Sequence, residues 1–244
     1  MDTETEGFQT TKRTLLKTAA GIAATVATTT PTLGVTQPSR VATRPLLSNH
    51  EMRPLAFDPA RLQDLSKKNL ESHWSNNYGG SVRALNEINR RLLEARTTPD
   101  LPAYVYNDLK REHLMRTGSV ILHELYFDNL GGNGQAPANL RSMLSKAFGT
   151  FDDWETEFRR ISAGLGGGSG WVLFGYNQQF QIMENYWMAD HMHAPATTVP
   201  LLVMDMYEHS YHMDFGASTK RYIDAFFKNI NWDKVEARLH NAVS

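Results

Sequence analysis

The sequence predicts an α+β protein, with a helical N-terminal half and a mixed α/β C-terminal half. Apolar residues recur at helical spacing from about residue 58 to 130. A glycine cluster, Gly131-Gly132-Asn133-Gly134, then stops the pattern. Short apolar runs bounded by turn residues follow between 171 and 204.

Asp58-Pro59 reads as a helix start, with Asp as the cap and Pro in the first turn. Leu62, Leu65, Leu70 and His73 continue from it at roughly helical spacing. A second amphipathic run carries Val82, Leu85, Ile88, Leu92 and Leu93, and ends near Thr97-Thr98-Pro99. Residues 105–130 form one or two further helices, and the glycine cluster after them is the best domain boundary. Short helices are expected at 140–148 and 151–161, followed by a glycine-rich bend at 164–170. Strands are expected at 171–176 and 180–185, around the hairpin candidate Asn177-Gln178-Gln179, with a buried third strand at 199–204. Two helical segments, 207–215 and 219–228, close the chain. The expected organisation is a leader at 1–34, a linker at 35–54, a helical domain at 55–132 and an α/β domain at 133–244.

With 25 basic and 26 acidic residues and 41% hydrophobic content, the chain is neither disordered in composition nor a general nucleic-acid binder. Cysteine is absent, which excludes disulfides, thiolate metal sites and a cysteine nucleophile. Any metal must be held by His, Asp, Glu or backbone oxygen. The near-neutral total hides an asymmetry, because residues 8–44 carry Lys12, Arg13, Lys17, Arg40 and Arg44 with no acid. A basic start, a weakly apolar Ala/Thr/Leu core and small residues make up the layout of an export signal. Thr11-Lys12-Arg13-Thr14-Leu15-Leu16-Lys17 resembles a twin-arginine signal with Lys12 in place of the first arginine. The expectation is an exported, periplasmic protein cleaved between Ala24 and Gly34; a plain N-terminal tail is the competing reading. Stable membrane insertion is not expected, since this run is shorter than the roughly 20 apolar residues a spanning helix needs.

The sharpest chemical signal is Asp205-Met206-Tyr207-Glu208-His209. If a helix begins at Asp205, His209 lies one turn on and faces the same way, which makes half of a divalent-metal site. A capping Asp beside an interfacial His is the alternative. His73 and His123 each sit in an apolar helical context, where a lone histidine would ordinarily be a hydrogen-bonded core residue.

Taken in order, these residues resemble the iron/manganese superoxide dismutases. The matching stretches are Leu70-Glu71-Ser72-His73, His123 with Tyr126 and Phe127, Gly168-Ser169-Gly170-Trp171, and Asp205 through Tyr211. Phe148-Gly149-Thr150-Phe151 and Asn229-Ile230-Asn231-Trp232 also fall at family positions, so the likeness runs from about residue 55 to 240. The resemblance implies a helical hairpin followed by an α/β domain with a small three-stranded antiparallel sheet. It also implies one iron or manganese per subunit, held by His73, His123, Asp205 and His209 with a solvent molecule. Superoxide would be converted to dioxygen and hydrogen peroxide. Glu208 would reach the partner subunit's last histidine ligand across a two-fold interface, giving a homodimer.

Around those ligands the chain departs from the family pattern. Asn77, Tyr78 and Ser81 stand where the family has two histidines and an entrance tyrosine, and His212 stands where a tyrosine pairs with the first of those histidines. Tyr207 replaces a common tryptophan, Ile121-Leu122 replace Trp-Asn, and Thr219 with Lys220 stand where an interface arginine is usual. The resemblance also implies a Gln or His beside the metal-bound solvent, from one of two positions. Ser119 at the first is too short, and Asp190-His191 at the second resembles the form that uses histidine. His191 is therefore the candidate, with His193 as the second choice. Tyr211 and His212 are further catalytic candidates, and Asn77 is expected to meet His212 of a second subunit. Trp171, Tyr126, Phe127 and Trp187 are candidates for an apolar wall. A homologue that keeps the metal but has lost dismutation is the competing function, and a metal-free dimeric scaffold is a third.

Overall fold

The computed structural model describes residues 46–244. The leader expected at 1–34 and most of the linker lie outside the described residues. Residues 46–54, assigned to that linker by composition, lie against the helices instead. Asn86 accepts the His50 N–H at 2.8 Å and donates to the His50 carbonyl at 2.9 Å. The Trp74 indole N–H donates to the Arg53 carbonyl at 2.9 Å, and the Arg53 N–H donates to the Tyr78 hydroxyl at 2.8 Å.

Asp58 caps only a single 3₁₀ turn, Pro59–Arg61. The long helix expected from Asp58 fails because Asp64 takes a positive φ of 61°, where it also pairs with Lys228. The helix begins at Ser66 instead. Its hydroxyl accepts the Asn69 N–H, while Asp214 receives both the Ser66 N–H and the hydroxyl. From there α1 (Lys67–Ser72), a π-helical turn (His73–Tyr78) and α2 (Gly79–Ala95) run on as one rod. The wider turn spaces the buried positions as His73, Tyr78 and Val82, a phase that a regular 3.6-residue pattern does not give. One continuous helix, α3 (Ala103–Asp128), returns along α2 and completes the hairpin.

The glycine cluster after α3 is a packing device. A Cβ on Gly132 would lie 2.2 Å from the Ile230 carbonyl oxygen, and Gly132 donates its N–H to Asn229. Residues 133–244 are thereby tied back to the helical half, and the described residues belong to one compact unit. Helices α4 (Ala138–Phe148) and α5 (Phe151–Gly164) lead into the sheet, α5 being capped by Thr150. Strands β1 (Trp171–Asn177), β2 (Ile182–Met188) and β3 (Thr198–Asp205) form an antiparallel sheet of order β2-β1-β3. β1 is the central strand, with a bulge at Phe174/Gly175 against β3. β2 starts two residues later than expected because the turn occupies 178–181.

Asp205 ends β3 and does not start a helix. His209 follows in a 3₁₀ turn, Glu208–Ser210. Two short helices, α6 (His212–Phe215) and α7 (Thr219–Lys228), precede a third, α8 (Trp232–Val243), which the sequence reading had not expected. Among the described residues no helix is long and apolar enough to cross a membrane.

Asn229 is the clearest tie between the two ends of the described chain. Its buried amide accepts the Gln63 N–H at 2.8 Å and donates to the Gln63 and Ala225 carbonyls at 2.7 and 2.8 Å. Asn229→Ala removes three hydrogen bonds at once and is expected to cost about 2–4 kcal/mol in urea unfolding. A loss below about 0.5 kcal/mol would contradict that account.

Candidate metal centre

Four side chains from four different elements converge in the core. His73 opens the π-helical turn, His123 lies on α3, Asp205 ends β3, and His209 sits in the following 3₁₀ turn. Asp205 Oδ2 is 3.2 Å from His73 Nε2, 3.2 Å from His209 Nε2 and 3.7 Å from His123 Nε2. The four donor atoms all lie within 4.8 Å of one another. Neighbouring ligands at roughly 2.1 Å from one ion lie about 3 Å apart and opposite ones about 4.2 Å, so this spacing suits a single first-row cation.

Two of the donors, His123 and Asp205, are aimed by hydrogen bonds with their surroundings. The His123 Nδ1–H donates to the Ser119 carbonyl at 2.7 Å, which leaves Nε2 with its lone pair facing the cluster. Asp205 Oδ1 accepts the Tyr207 N–H at 2.8 Å, so Oδ2 is the oxygen that faces the three imidazoles. The Asp205 backbone is held as well. Its carbonyl receives the Tyr222 hydroxyl at 2.6 Å and the Ser210 hydroxyl at 3.0 Å, and the Tyr126 hydroxyl lies 3.2 Å from that of Tyr222. Nothing local in the sequence marks Tyr222, which reaches Asp205 from α7.

Two buried imidazole nitrogens, His73 Nε2 and His123 Nε2, have no hydrogen-bond partner among the described residues. An orphaned buried acceptor is costly unless something occupies it, and a cation is what three imidazoles and a carboxylate accept together. Burial drives His73 below the ordinary histidine range and pushes His123 down to about 3, so both remain neutral. Burial alone would raise the Asp205 carboxyl, but the adjacent His209 and His73 imidazoles outweigh it and hold it well below the carboxylate range. Neutral imidazoles and an ionised carboxylate are the protonation states that metal binding requires. The residues present fit a divalent or trivalent iron or manganese.

The wall is aromatic. Tyr126 and Phe127 lie 5.2 and 5.0 Å from the His73 ring, and Trp171 lies 5.1 Å from that of His123. Trp187 is not part of it; β2 turns this side chain outward, 57% exposed. His191 and His193 separate clearly. The Trp171 indole N–H donates to His191 Nδ1 at 2.9 Å, and the His191 ring lies 5.9 Å from that of His123. His193 is half exposed, with Nδ1 on Asp190 at 2.8 Å. Burial lowers the His191 pKa, and because Nδ1 accepts, the neutral ring carries its proton on Nε2.

Tyr211 is buried, but its hydroxyl accepts the Gly167 N–H at 3.2 Å and its ring stacks on Tyr222, away from the four donors. His212 and Glu208 are exposed in the single chain, and Asn77 is half-buried. Ser81 turns inward. Its hydroxyl is 2.7 Å from that of Ser119, which lies 3.3 Å from His123 Nδ1. Tyr78 packs its ring toward His123 and donates its hydroxyl to Glu124 at 2.9 Å, and burial raises its pKa.

Residues 136–238 match the family described as iron/manganese superoxide dismutases, C-terminal domain. A protein of Cupriavidus metallidurans named superoxide dismutase [Fe] is 45% identical over 194 residues, covering 80% of this chain and 98% of that protein. The chain belongs to the iron/manganese superoxide dismutase family. A superoxide dismutase [Fe] of Aquifex aeolicus is 31% identical, over 80% of this chain and 93% of its own length. A superoxide dismutase [Mn] of Mycolicibacterium smegmatis is 28% identical, over 81% and 96%. Iron- and manganese-named relatives thus both align with a superoxide dismutase chain whose His/His/Asp/His group is in place.

Two outcomes follow from this geometry. Asp205→Ala leaves the three imidazoles without the anionic ligand, and its metal affinity should fall by more than the roughly 10–100-fold that losing an outer-shell contact costs. Metal content after dialysis against a chelator measures this. Separately, the pKa of His123 is lowered on folding, so the unfolded chain binds the proton first as pH drops. The metal-free protein should therefore keep this contribution in full above about pH 6.5 and lose stability from there down toward pH 3. His123→Leu should flatten that slope in chemical denaturation; an unchanged slope would remove His123 as its source.

Proposed function

We propose that this chain dismutates superoxide at one iron or manganese ion held by His73, His123, Asp205 and His209. The observation that carries the reading is the convergence of those four donors, with His73 and His123 neutral and Asp205 ionised, within a chain of this family. The bound ion would supply one-electron exchange, so that two superoxide anions and two protons give one dioxygen and one hydrogen peroxide.

The protein residues would hold the ion, limit water and place protons. Asp205 contributes the single negative charge, and its Oδ1 contact with the Tyr207 N–H keeps Oδ2 in place. Tyr126, Phe127 and Trp171 exclude bulk water and so strengthen electrostatic effects inside. His191 is the side chain we assign to the proton-donating position beside the ligand group, through Nε2–H, because Trp171 occupies Nδ1. Tyr211 supports the glycine-rich bend through Gly167, a positioning role.

A two-fold dimer is part of the same reading. Glu208 is exposed next to His209, where a carboxylate from one subunit would accept the imidazole N–H of the other. Asn77 and His212 would pair across that interface in place of the family's histidine and tyrosine. We further infer export through residues 1–34, which would carry an already folded and metal-loaded chain.

Loading with iron and with manganese separately, then following superoxide loss, tests the function. Catalysis is expected with at least one metal, and His191→Ala should lower it roughly 10–100-fold while metal content stays constant. A fully loaded protein that does not consume superoxide would instead be a non-catalytic metal holder. Glu208→Ala should convert a dimer to monomer in sedimentation; a wild-type protein that sediments as a monomer would end the interface reading. Changing Lys12 and Arg13 to Gln should leave the precursor uncleaved inside the cell.

A further inference from the structure

His191 belongs to the loop between β2 and β3, and a loop side chain acts on a neighbouring site only if its ring is held in one orientation. The hydrogen bond from the Trp171 indole to Nδ1, at 2.9 Å, fixes where the ring sits. A single in-plane hydrogen bond does not fix the plane, because the imidazole can still swivel about that axis. A flat contact against the ring face removes the swivel.

Tyr207 makes that contact. Its ring lies 4.8 Å from the His191 ring, with only 12° between their planes. The same phenol lies 5.3 Å from the His209 ring at 24°, so one side chain is near-parallel to a member of the donor group and to His191 together. Tyr207 is itself held. Its N–H is on Asp205 Oδ1 at 2.8 Å, its ring meets Trp171 edge-on at 6.1 Å, and its hydroxyl faces Ser169. Ser169 in turn donates to the Ala189 carbonyl at 3.2 Å, at the start of the His191 loop. From the other side α3 abuts the loop so closely that a Cβ on Gly118 would lie 1.8 Å from the His191 carbonyl oxygen.

We propose that Tyr207 is the positioning residue that fixes the plane of His191 and thereby sets how His191 acts on an anion at the metal. The proposal rests on the reading of His191 given above. It also gives a role to the phenol that stands at 207 in place of a common tryptophan, since a flat imidazole and a phenol suit each other as stacking partners.

The test is a double-mutant cycle in the iron-loaded protein. Variants are Tyr207→Leu, His191→Ala and both together, with Tyr207→Phe as the conservative control and iron content measured for each. The readouts are the azide Kd from the visible spectrum and the reduction midpoint of the iron. Tyr207→Leu should change the azide Kd by about 3- to 10-fold, the range a lost ring contact produces. Tyr207→Phe should stay within about twofold, and Tyr207→Leu should add nothing once His191 is Ala. An equal effect of Tyr207→Leu in both backgrounds, or none in either while His191→Ala alone has one, overturns the proposal. If His191→Ala moves neither readout, the underlying role of His191 fails instead. Should Tyr207→Leu not retain iron, Tyr207→Met, similar in bulk but without a flat face, takes its place in the cycle with the same outcomes.

Discussion

The architecture depends on one buried charge. Asp205 is fully enclosed and ionised, and a carboxylate in that position is tolerable only if its surroundings answer it on every side. Three imidazoles face Oδ2, a backbone N–H meets Oδ1, and two hydroxyls hold the carbonyl. Those partners come from the π-helical turn, α3, the 3₁₀ turn and α7. Both halves of the chain must therefore be folded and docked before this residue is satisfied.

The ligand identities were legible because each carries a short pattern: a histidine on an apolar helical face, twice, and a carboxylate four residues before a third histidine. The geometry behind those patterns was less legible. Asp205 and His209 converge through a strand end and a 3₁₀ turn, which share the i,i+4 spacing of an α-helix without being one. The start at Asp58 failed on one backbone angle, at Asp64, that only the tertiary pairing with Lys228 explains. α8 was missed because Trp232, Val235 and Leu239 are the only buried positions in its twelve residues. Trp187 illustrates the opposite error: an aromatic residue in a strand can face either side, and the β2 register turns it to solvent.

The π-helical turn has its own logic. A wider turn is less favourable than a regular one, and it persists where it places a particular side chain. Here it carries His73 at its first residue and Tyr78 at its last, so a donor and a ring packed toward His123 both face inward from one six-residue segment. Ser81, one turn further, reaches Ser119 and not the solvent. The short side chain at 81 is therefore taken up in a small buried hydroxyl pair.

The segment before the first turn sets a limit on how far this protein can be trimmed. His50 and Arg53 occupy the Asn86 amide, the Trp74 indole and one side of the Tyr78 hydroxyl, and two of those three residues lie in the turn that carries His73. A protease that cut between Arg53 and Pro54 would strip those partners from the very segment that aims a donor at the metal. A chain shortened past His50 would therefore not be expected to keep the shape of the centre behind it.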